Sequence, residues 1–206
     1  MESMKALLNR LNNPQDRLRF IHISGTNGKG SVLAYLSFIL QKAGYCTGQY
    51  SSPSLFSYRE RIQVNHKEIE KDSLARHITE ISHVVEEMRR AQEPLPTVFE
   101  VETALAFLYF EEKKCDLVVL ETGLGGALDA TNVVKTTLLE VITPIGMDHT
   151  KELGSTLAEI ALQKAGIIKD GTRVVTVSQD KEVQKVLEEV CRKRKMSLQC
   201  YQVYKK

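Results

Sequence analysis

Between Ile21 and Ser31 the chain reads Ile-His-Ile-Ser-Gly-Thr-Asn-Gly-Lys-Gly-Ser. Three glycines, a lysine and a serine close together are the ingredients of a phosphate-binding turn. Glycine lets backbone N–H groups converge on an anion, a following helix N-terminus adds partial positive charge, and lysine neutralises the terminal phosphates. Gly25, Thr26, Asn27, Gly28, Lys29, Gly30 and Ser31 are therefore the candidate nucleotide-binding residues. Lys29 would lie on the phosphates, and the Ser31 hydroxyl beside them or their metal. The strict P-loop spacing is not met: Ile23 stands where that pattern has its first glycine, and Gly30 separates Lys29 from Ser31. The same residues would also make an ordinary strand-to-helix turn with an incidental lysine.

Phosphate charge calls for magnesium, which prefers oxygen ligands and keeps some of its waters. The local oxygen donors are Ser31, Ser52, Glu100, Glu102, Glu121, Asp129 and Asp148. Each also has a plain structural role. Thr97-Val-Phe-Glu100 fits a capping box, so Glu100 could serve its own helix start. Glu121 could simply end a strand, and His149 could bond to loop backbone. Lys164, in the last turn of a helix, would meet the helix dipole favourably.

These residues need elements to carry them. The apolar run Leu18–Ile23 suits a buried strand, and Leu33, Leu36, Ile39 and Leu40 recur at helical spacing over Val32–Ala43. Helices are expected over Met4–Leu11, Ser73–Ala91, Val98–Lys113, Thr156–Ala165 and Lys181–Lys193. Strands are expected at Tyr45–Tyr50, Arg61–Asn65, Asp116–Glu121, Leu138–Thr143, Arg173–Val177 and Leu198–Val203, with a turn at Asn65–Lys67. Strands alternating with helices predict an α/β fold, a doubly wound and mainly parallel sheet with helices on both faces. In such sheets ligands gather outside the carboxyl ends of the strands. The loops at Gly25–Ser31, Ser51–Ser54, Thr122–Asn132 and Pro144–His149 all follow strands, so they should converge there.

Composition sets the outer limits. The 206 residues are 42% hydrophobic and 26% charged, ordinary values for a globular domain with a sizeable core. Net charge is +2, and the one dense basic run, Arg192–Lys195, suits the solvated end of a helix. No nucleic-acid surface is expected. No apolar stretch reaches membrane-spanning length, and the N-terminus has no signal-peptide core. Cys46, Cys115, Cys191 and Cys200 form no metal-ligand spacing. They read as reduced thiols of a cytoplasmic protein, expected to be a monomer.

Taken together, these stretches resemble the folylpolyglutamate synthase and dihydrofolate synthase family of Mur-ligase-like, ATP-dependent amide ligases. The matching blocks are Ile21–Ser31, Ser52-Pro53, Glu60-Arg61-Ile62, Phe99-Glu100, Glu121–Asn132 (Glu-Thr-Gly-Leu-Gly-Gly-Ala-Leu-Asp-Ala-Thr-Asn), Asp148-His149 and Lys164–Lys169 (Lys-Ala-Gly-Ile-Ile-Lys). The resemblance implies that residues 1–206 are a P-loop-type ATP-binding domain, with the family's C-terminal glutamate-ligase domain absent from them. It implies ATP and Mg2+ as cofactors, with the phosphates held by Gly28–Ser31. It implies Ser52, Glu100 and His149 as metal ligands, and Lys29, His149 and Lys164 as catalytic, Lys164 as the lysine that is carbamylated in many members. Carbamylation needs a neutral amine, and an open half-site should lower a lysine pKa poorly. The modification is therefore expected to be partial or absent here.

The implied reaction adds L-glutamate to a folate or to dihydropteroate. The acceptor carboxylate attacks the γ-phosphate, and the glutamate amine displaces phosphate from the acyl phosphate. Ser54, Ala127 and Gln163 depart from the family pattern, which has histidine, arginine and glutamate there. These departures bear on the pterin site rather than on the phosphate contacts. Two alternatives remain: a nucleotide-binding module without ligase activity, and a Mur-type peptidoglycan ligase. The second is disfavoured by the folate-type Asp-Ala-Thr-Asn and Lys-Ala-Gly-Ile-Ile-Lys.

Overall fold

The computed structural model describes Met1–Tyr201. In chain order the elements are α1 (Glu2–Arg10), β1 (Phe20–Ser24), α2 (Lys29–Lys42), β2 (Thr47–Tyr50), β3 (Ile62–Val64), β4 (Lys67–Glu68), α3 (Lys71–Arg90), α4 (Val98–Glu112), β5 (Leu117–Glu121), β6 (Thr137–Ile142), α5 (Thr150–Leu153), α6 (Leu157–Ala165), β7 (Arg173–Val177), α7 (Lys181–Lys193) and β8 (Leu198–Tyr201). The last expected strand runs past Tyr201, and its end lies outside the described residues.

The strands form one eight-stranded sheet in the order β4-β3-β2-β5-β1-β6-β7-β8. From β2 to β8 every pairing is parallel; β3 and β4 add an antiparallel edge. That edge was half legible. Asn65 and His66 both take positive φ, +51° and +60°, as a tight two-residue hairpin requires, and the two-residue strand after it carries no apolar signal.

β1 is central, and all five of its residues are buried. Side chains alternate across a strand, so Phe20 and Ile23 face opposite ways. Phe20, Val118 and Leu120 pack under α1, α3 and α4, while Ile142 and Val174 pack under α6 and α7 on the same face. Ile23, Val119 and Val141 face α2, the one described helix on the other side. The chain leaves β1 towards β2 and leaves β6 towards β7. β1 and β6 therefore flank the switch point, where a crevice opens at the strand ends.

Candidate functional site

Ser24 ends β1, and its hydroxyl donates to the Gly125 carbonyl at 2.7 Å, tying the two glycine-rich loops together. The loop after β1 then leans on the end of β6. Thr26 and Asn27 donate their N–H groups to the Pro144 carbonyl at 2.9 and 3.2 Å, and the Thr26 hydroxyl exchanges hydrogen bonds with Gly146. These two backbone N–H groups clamp the loop and are not turned to a ligand. Gly28 caps α2 in a left-handed conformation, φ +87°. The helix begins at Lys29, three residues before the apolar periodicity signals it. Lys29, Gly30 and Ser31 thus form its first turn, whose N–H groups have no partner within the helix and are the natural anion donors.

Lys29 folds back over this turn. Its ammonium donates to the Gly25 and Thr26 carbonyls at 3.1 and 3.3 Å and stands 3.9 Å from Glu121 Oε1. Lys164 reaches the same place from α6: its Nζ donates to the Gly25 carbonyl at 3.0 Å, and only 3% of the residue is exposed. Burial, then the neighbouring Lys29 charge, brings the Lys164 pKa down to about 8. The expectation that an open half-site lowers this lysine's pKa poorly is therefore corrected. The walls that bury it belong to this chain.

Those walls explain two glycines. A Cβ on Gly126 would lie 2.7 Å from the Lys164 carbonyl oxygen, and one on Gly166 would lie 2.4 Å from Ala127 Cβ. Backbone packs directly on backbone here, sealed by Ala127 N–H to the Gln163 carbonyl at 2.8 Å. Asn132 adds bonds to the Ala127 and Gly166 carbonyls, and Lys169 donates to Asn132 at 2.8 Å. Asn132 and Lys169 lie in blocks already singled out, but no local pattern reveals that one reaches the other. A second chain of bonds stiffens the loop from β1. Thr131 donates its hydroxyl proton to Asp129, so it accepts from His22 Nε2 at 2.8 Å. Asp129 also receives the Leu124 N–H.

The carboxylates sort themselves by environment. Glu121, at the end of β5, is 5% exposed; burial pushes its pKa up to about 7, against the pull of Lys29 and the Ser52 N–H. It therefore sits between the phosphate-loop lysine and Ser52. Glu100 is elsewhere. Its carboxylate accepts the Thr97 N–H at 2.8 Å in a complete capping box, the Ser3 hydroxyl at 2.8 and 2.9 Å, and the Met1 ammonium at 3.5 Å. Burial pushes its pKa up, but these donors outweigh it and the net shift is down. The carboxylate at the loop is that of Glu121 and not of Glu100, because the capping box turns Glu100 back onto its own helix start. His149 caps α5 at φ +47° with its side chain 54% exposed, 3.6 Å from Asp148. No contact joins it to Glu121. Among the described residues no group of three His, Cys, Asp or Glu side chains is arranged to hold a metal ion. Glu121 is the carboxylate that stands beside Lys29, and Ser52 meets it through its backbone N–H.

The two glutamates carry opposite predictions. Glu121 binds its proton more tightly folded than unfolded. Its favourable contribution is therefore complete below about pH 4.5 and is lost as pH rises through about 7, above which the buried carboxylate is charged. Glu121→Gln should raise stability at pH 8 by about 1–3 kcal/mol, with the gain shrinking towards pH 5, while weakening magnesium-dependent nucleotide binding. Glu100→Gln should cost about 1 kcal/mol at pH 8 and leave nucleotide binding alone. Urea titrations at pH 5 and 8 with calorimetric titration of Mg-ATP read both. A Glu100→Gln variant that loses nucleotide while Glu121→Gln keeps it would reverse the assignment.

Beside the second glycine loop is a cavity of about 400 Å³ lined by Phe99, Leu124, Leu128, Asp129, Glu152 and Gln163. Its lining includes Gly125, the residue bonded to Ser24 at the end of β1, and combines an aromatic face with carboxylates.

A glycine-rich loop at a switch point, braced by a second glycine-rich loop and a buried lysine, belongs to a fold of the Mur-ligase-like N-terminal domain class. The chain belongs to the folylpolyglutamate synthase/dihydrofolate synthase family and corresponds to the N-terminal part of its members. It is 46% identical over 185 residues to the dihydrofolate synthase/folylpolyglutamate synthase of Bacillus subtilis, covering 89% of this chain and 43% of that protein. Among solved structures, a folylpolyglutamate synthase from Thermotoga maritima superposes with TM-score 0.90 at 41% identity, covering 97% of this chain and 45% of that one. A folylpolyglutamate synthase in complex with AMPPCP and folate superposes with TM-score 0.92 at 35% identity, covering 96% and 48%. The chain thus spans less than half the length of the relatives it matches. No protein-family model matches it.

Proposed function

We propose that residues 1–206 are the ATP-binding half of a ligase that joins L-glutamate to a folate, to dihydropteroate, or to both. The observation that carries this reading is the meeting of Lys29, Lys164 and Glu121 around the Gly25 carbonyl, at the carboxyl ends of β1 and β5. Phosphates entering the first turn of α2 would take the Lys29 ammonium from the carbonyls it now holds. The N–H groups of Lys29, Gly30 and Ser31 would then share the remaining charge. Ser52 and Glu121 offer hard oxygen donors suited to magnesium, and His149 is the proposed further ligand from the loop after β6. A bound magnesium ion would neutralise phosphate charge and polarise the γ-phosphoryl group. The acceptor carboxylate attacks that group in line, and the glutamate amine then displaces phosphate from the acyl phosphate. The chain supplies no nucleophile. It positions reactants and stabilises spread charge.

One solved relative is a complex with AMPPCP and folate; the cavity beside Phe99, with its aromatic face and carboxylates, is the proposed place for a pterin acceptor. Gln163 lines that cavity, and Ala127 packs against Gly166 below it, so both departures from the family pattern bear on the acceptor and not on the phosphates. The lowered Lys164 pKa supplies the neutral amine that carbamylation requires. A cytoplasmic monomer fits this reading, and no described helix is long and apolar enough to cross a membrane.

The test is direct. The 206 residues should bind Mg-ATP in a calorimetric titration, yet incorporate no labelled glutamate into dihydropteroate, folate or a muramyl acceptor. Lys164 and Glu121 are buried by this chain, but Asn27, Gly28, Gly30 and Ser31 are exposed, and charge stabilisation weakens in water. Absence of ATP binding would overturn the nucleotide assignment. Glutamate ligation by this chain alone would overturn the need for a second domain.

A further inference from the structure

At the other end of the sheet, away from the phosphate loop, two of the four cysteines come together. Cys46 immediately precedes β2 and Cys115 lies two residues before β5. These strands are parallel neighbours with Thr47 opposite Leu117, which sets Cys46 opposite Asp116. Two bonds lock that register: the Asp116 N–H donates to the Cys46 carbonyl at 2.8 Å, and the Cys46 N–H donates to the Asp116 carboxylate at 2.8 Å. A strand spacing of about 4.8 Å with a one-residue offset puts the two Cα atoms roughly 6 Å apart. That lies within the span a disulfide bridges. Both side chains border the same apolar cluster. Burial and the adjacent Cys46 together push the Cys115 thiol well up. The Cys46 thiol is half-buried and weakly bonded to the Lys113 carbonyl at 3.7 Å.

A polar cleft of about 330 Å³ opens on Cys115 and on Tyr45, the residue directly before Cys46; Arg17, Arg19 and Asp116 complete its polar lining. Arg17 is held by Glu111 and the Asn12 carbonyl. Arg19 is exposed and makes no ion pair among the described residues. The cleft thus presents a free guanidinium beside a thiol, which suits a reagent carrying carboxylates. Cys191 and Cys200 have no such setting: one is buried in the α6–α7 cluster and the other is exposed on the edge strand.

We propose that Cys46 and Cys115 form a redox-modification site, a dithiol that an anionic peptide disulfide of the oxidised-glutathione class converts to an intramolecular disulfide by way of the Arg19 cleft. The more accessible Cys46, as thiolate, attacks one sulfur of the reagent. The S–S bond breaks, a mixed disulfide forms, and one thiolate leaves and takes up a proton. Cys115 then loses its proton and attacks Cys46 Sγ, expelling the second thiolate. The protein dithiol is oxidised by two electrons, and the reagent is reduced to two thiols. The high Cys115 pKa makes the second step the slow one, so the mixed disulfide on Cys46 should accumulate first.

The experiment follows the thiols of the 206-residue chain through a glutathione redox series, with alkylation trapping and peptide mass mapping. The expected product is a Cys46–Cys115 linked peptide, preceded by glutathione on Cys46, with Cys191 still alkylated. Cys46→Ser should leave Cys115 reduced throughout, and Cys200→Ser should not alter the linkage. Oxidised glutathione should act at least threefold faster than the cationic disulfide cystamine, and Arg19→Ala should erase that preference. The preference itself uses folded wild-type protein, so it stands even if a cysteine variant folds poorly. Modification confined to Cys200, with Cys46 and Cys115 both alkylated at every redox ratio, would overturn the site. Equal rates for the two reagents would overturn the role of the cleft.

Discussion

Lys29→Ala should cost the chain its affinity for Mg-ATP. A charge-assisted hydrogen bond contributes about 1.5–3 kcal/mol, which corresponds to roughly a 10- to 150-fold weaker complex. The fold control needs care, because Lys29 is also the cation that partly compensates buried Glu121. Without it the Glu121 pKa rises further, so the variant should lose stability above pH 7 and little at pH 6, where that carboxyl is mostly protonated in either protein. Removing Lys29 also relieves Lys164 of a neighbouring charge, so the Lys164 pKa should move back towards its ordinary value. Calorimetric titration at pH 6 and 8, with circular dichroism melts at both, separates lost binding from lost stability. Unchanged affinity at pH 6 would remove Lys29 from the phosphate site.

The sheet was readable because its signals are local. Leu117–Leu120 is a continuous apolar run, Pro94 and Pro96 break one helix before the next, and Gly166 stops another. The phosphate loop was readable for the same reason, since its residues are consecutive. Other features depend on distance. The start of α2 at Lys29 is set by the left-handed cap at Gly28 and not by apolar spacing. Glu100 and Glu121 look alike in sequence, both preceded by an apolar residue and both in family-like blocks. Only the capping geometry at Thr97, and the neighbours Lys29 and Ser52, separate a helix cap from a site carboxylate. Lys164 was assigned a role by resemblance alone. Its burial comes from Gly126 and Gly166, forty residues apart in the chain, allowing two backbones to touch.

The glycines of the phosphate loop should respond to alanine in three different ways. Gly25 carries φ +144°, and a Cβ there would lie 1.9 Å from Thr143 Oγ1, 2.9 Å from Thr143 Cβ and 3.0 Å from its carbonyl oxygen. Rotating the threonine relieves the first contact but not the other two, so β1 and β6 would have to part. Backbone strain of about 1–3 kcal/mol adds to overpacking of about 1–3 kcal/mol. Gly25 also supplies the carbonyl that holds both lysines, so nucleotide binding should vanish along with stability. Gly28 has φ +87° but open space around it, so alanine there meets backbone strain alone, about 1–2 kcal/mol. Gly30 has an ordinary φ, and the nearest atom to its added Cβ is Glu121 Oε2 at 3.9 Å. Gly30→Ala should gain up to about 1 kcal/mol from helix propensity, and it should bind Mg-ATP less well because the methyl group stands where phosphate approaches. Denaturant melts and calorimetric titrations of the three variants give the order. Thr143→Ala should recover part, not all, of the Gly25→Ala loss, since the Cβ and carbonyl contacts remain. Equal losses for Gly25→Ala and Gly28→Ala would mean that strain alone is at work and that the close approach of β1 to β6 is not what keeps glycine at position 25.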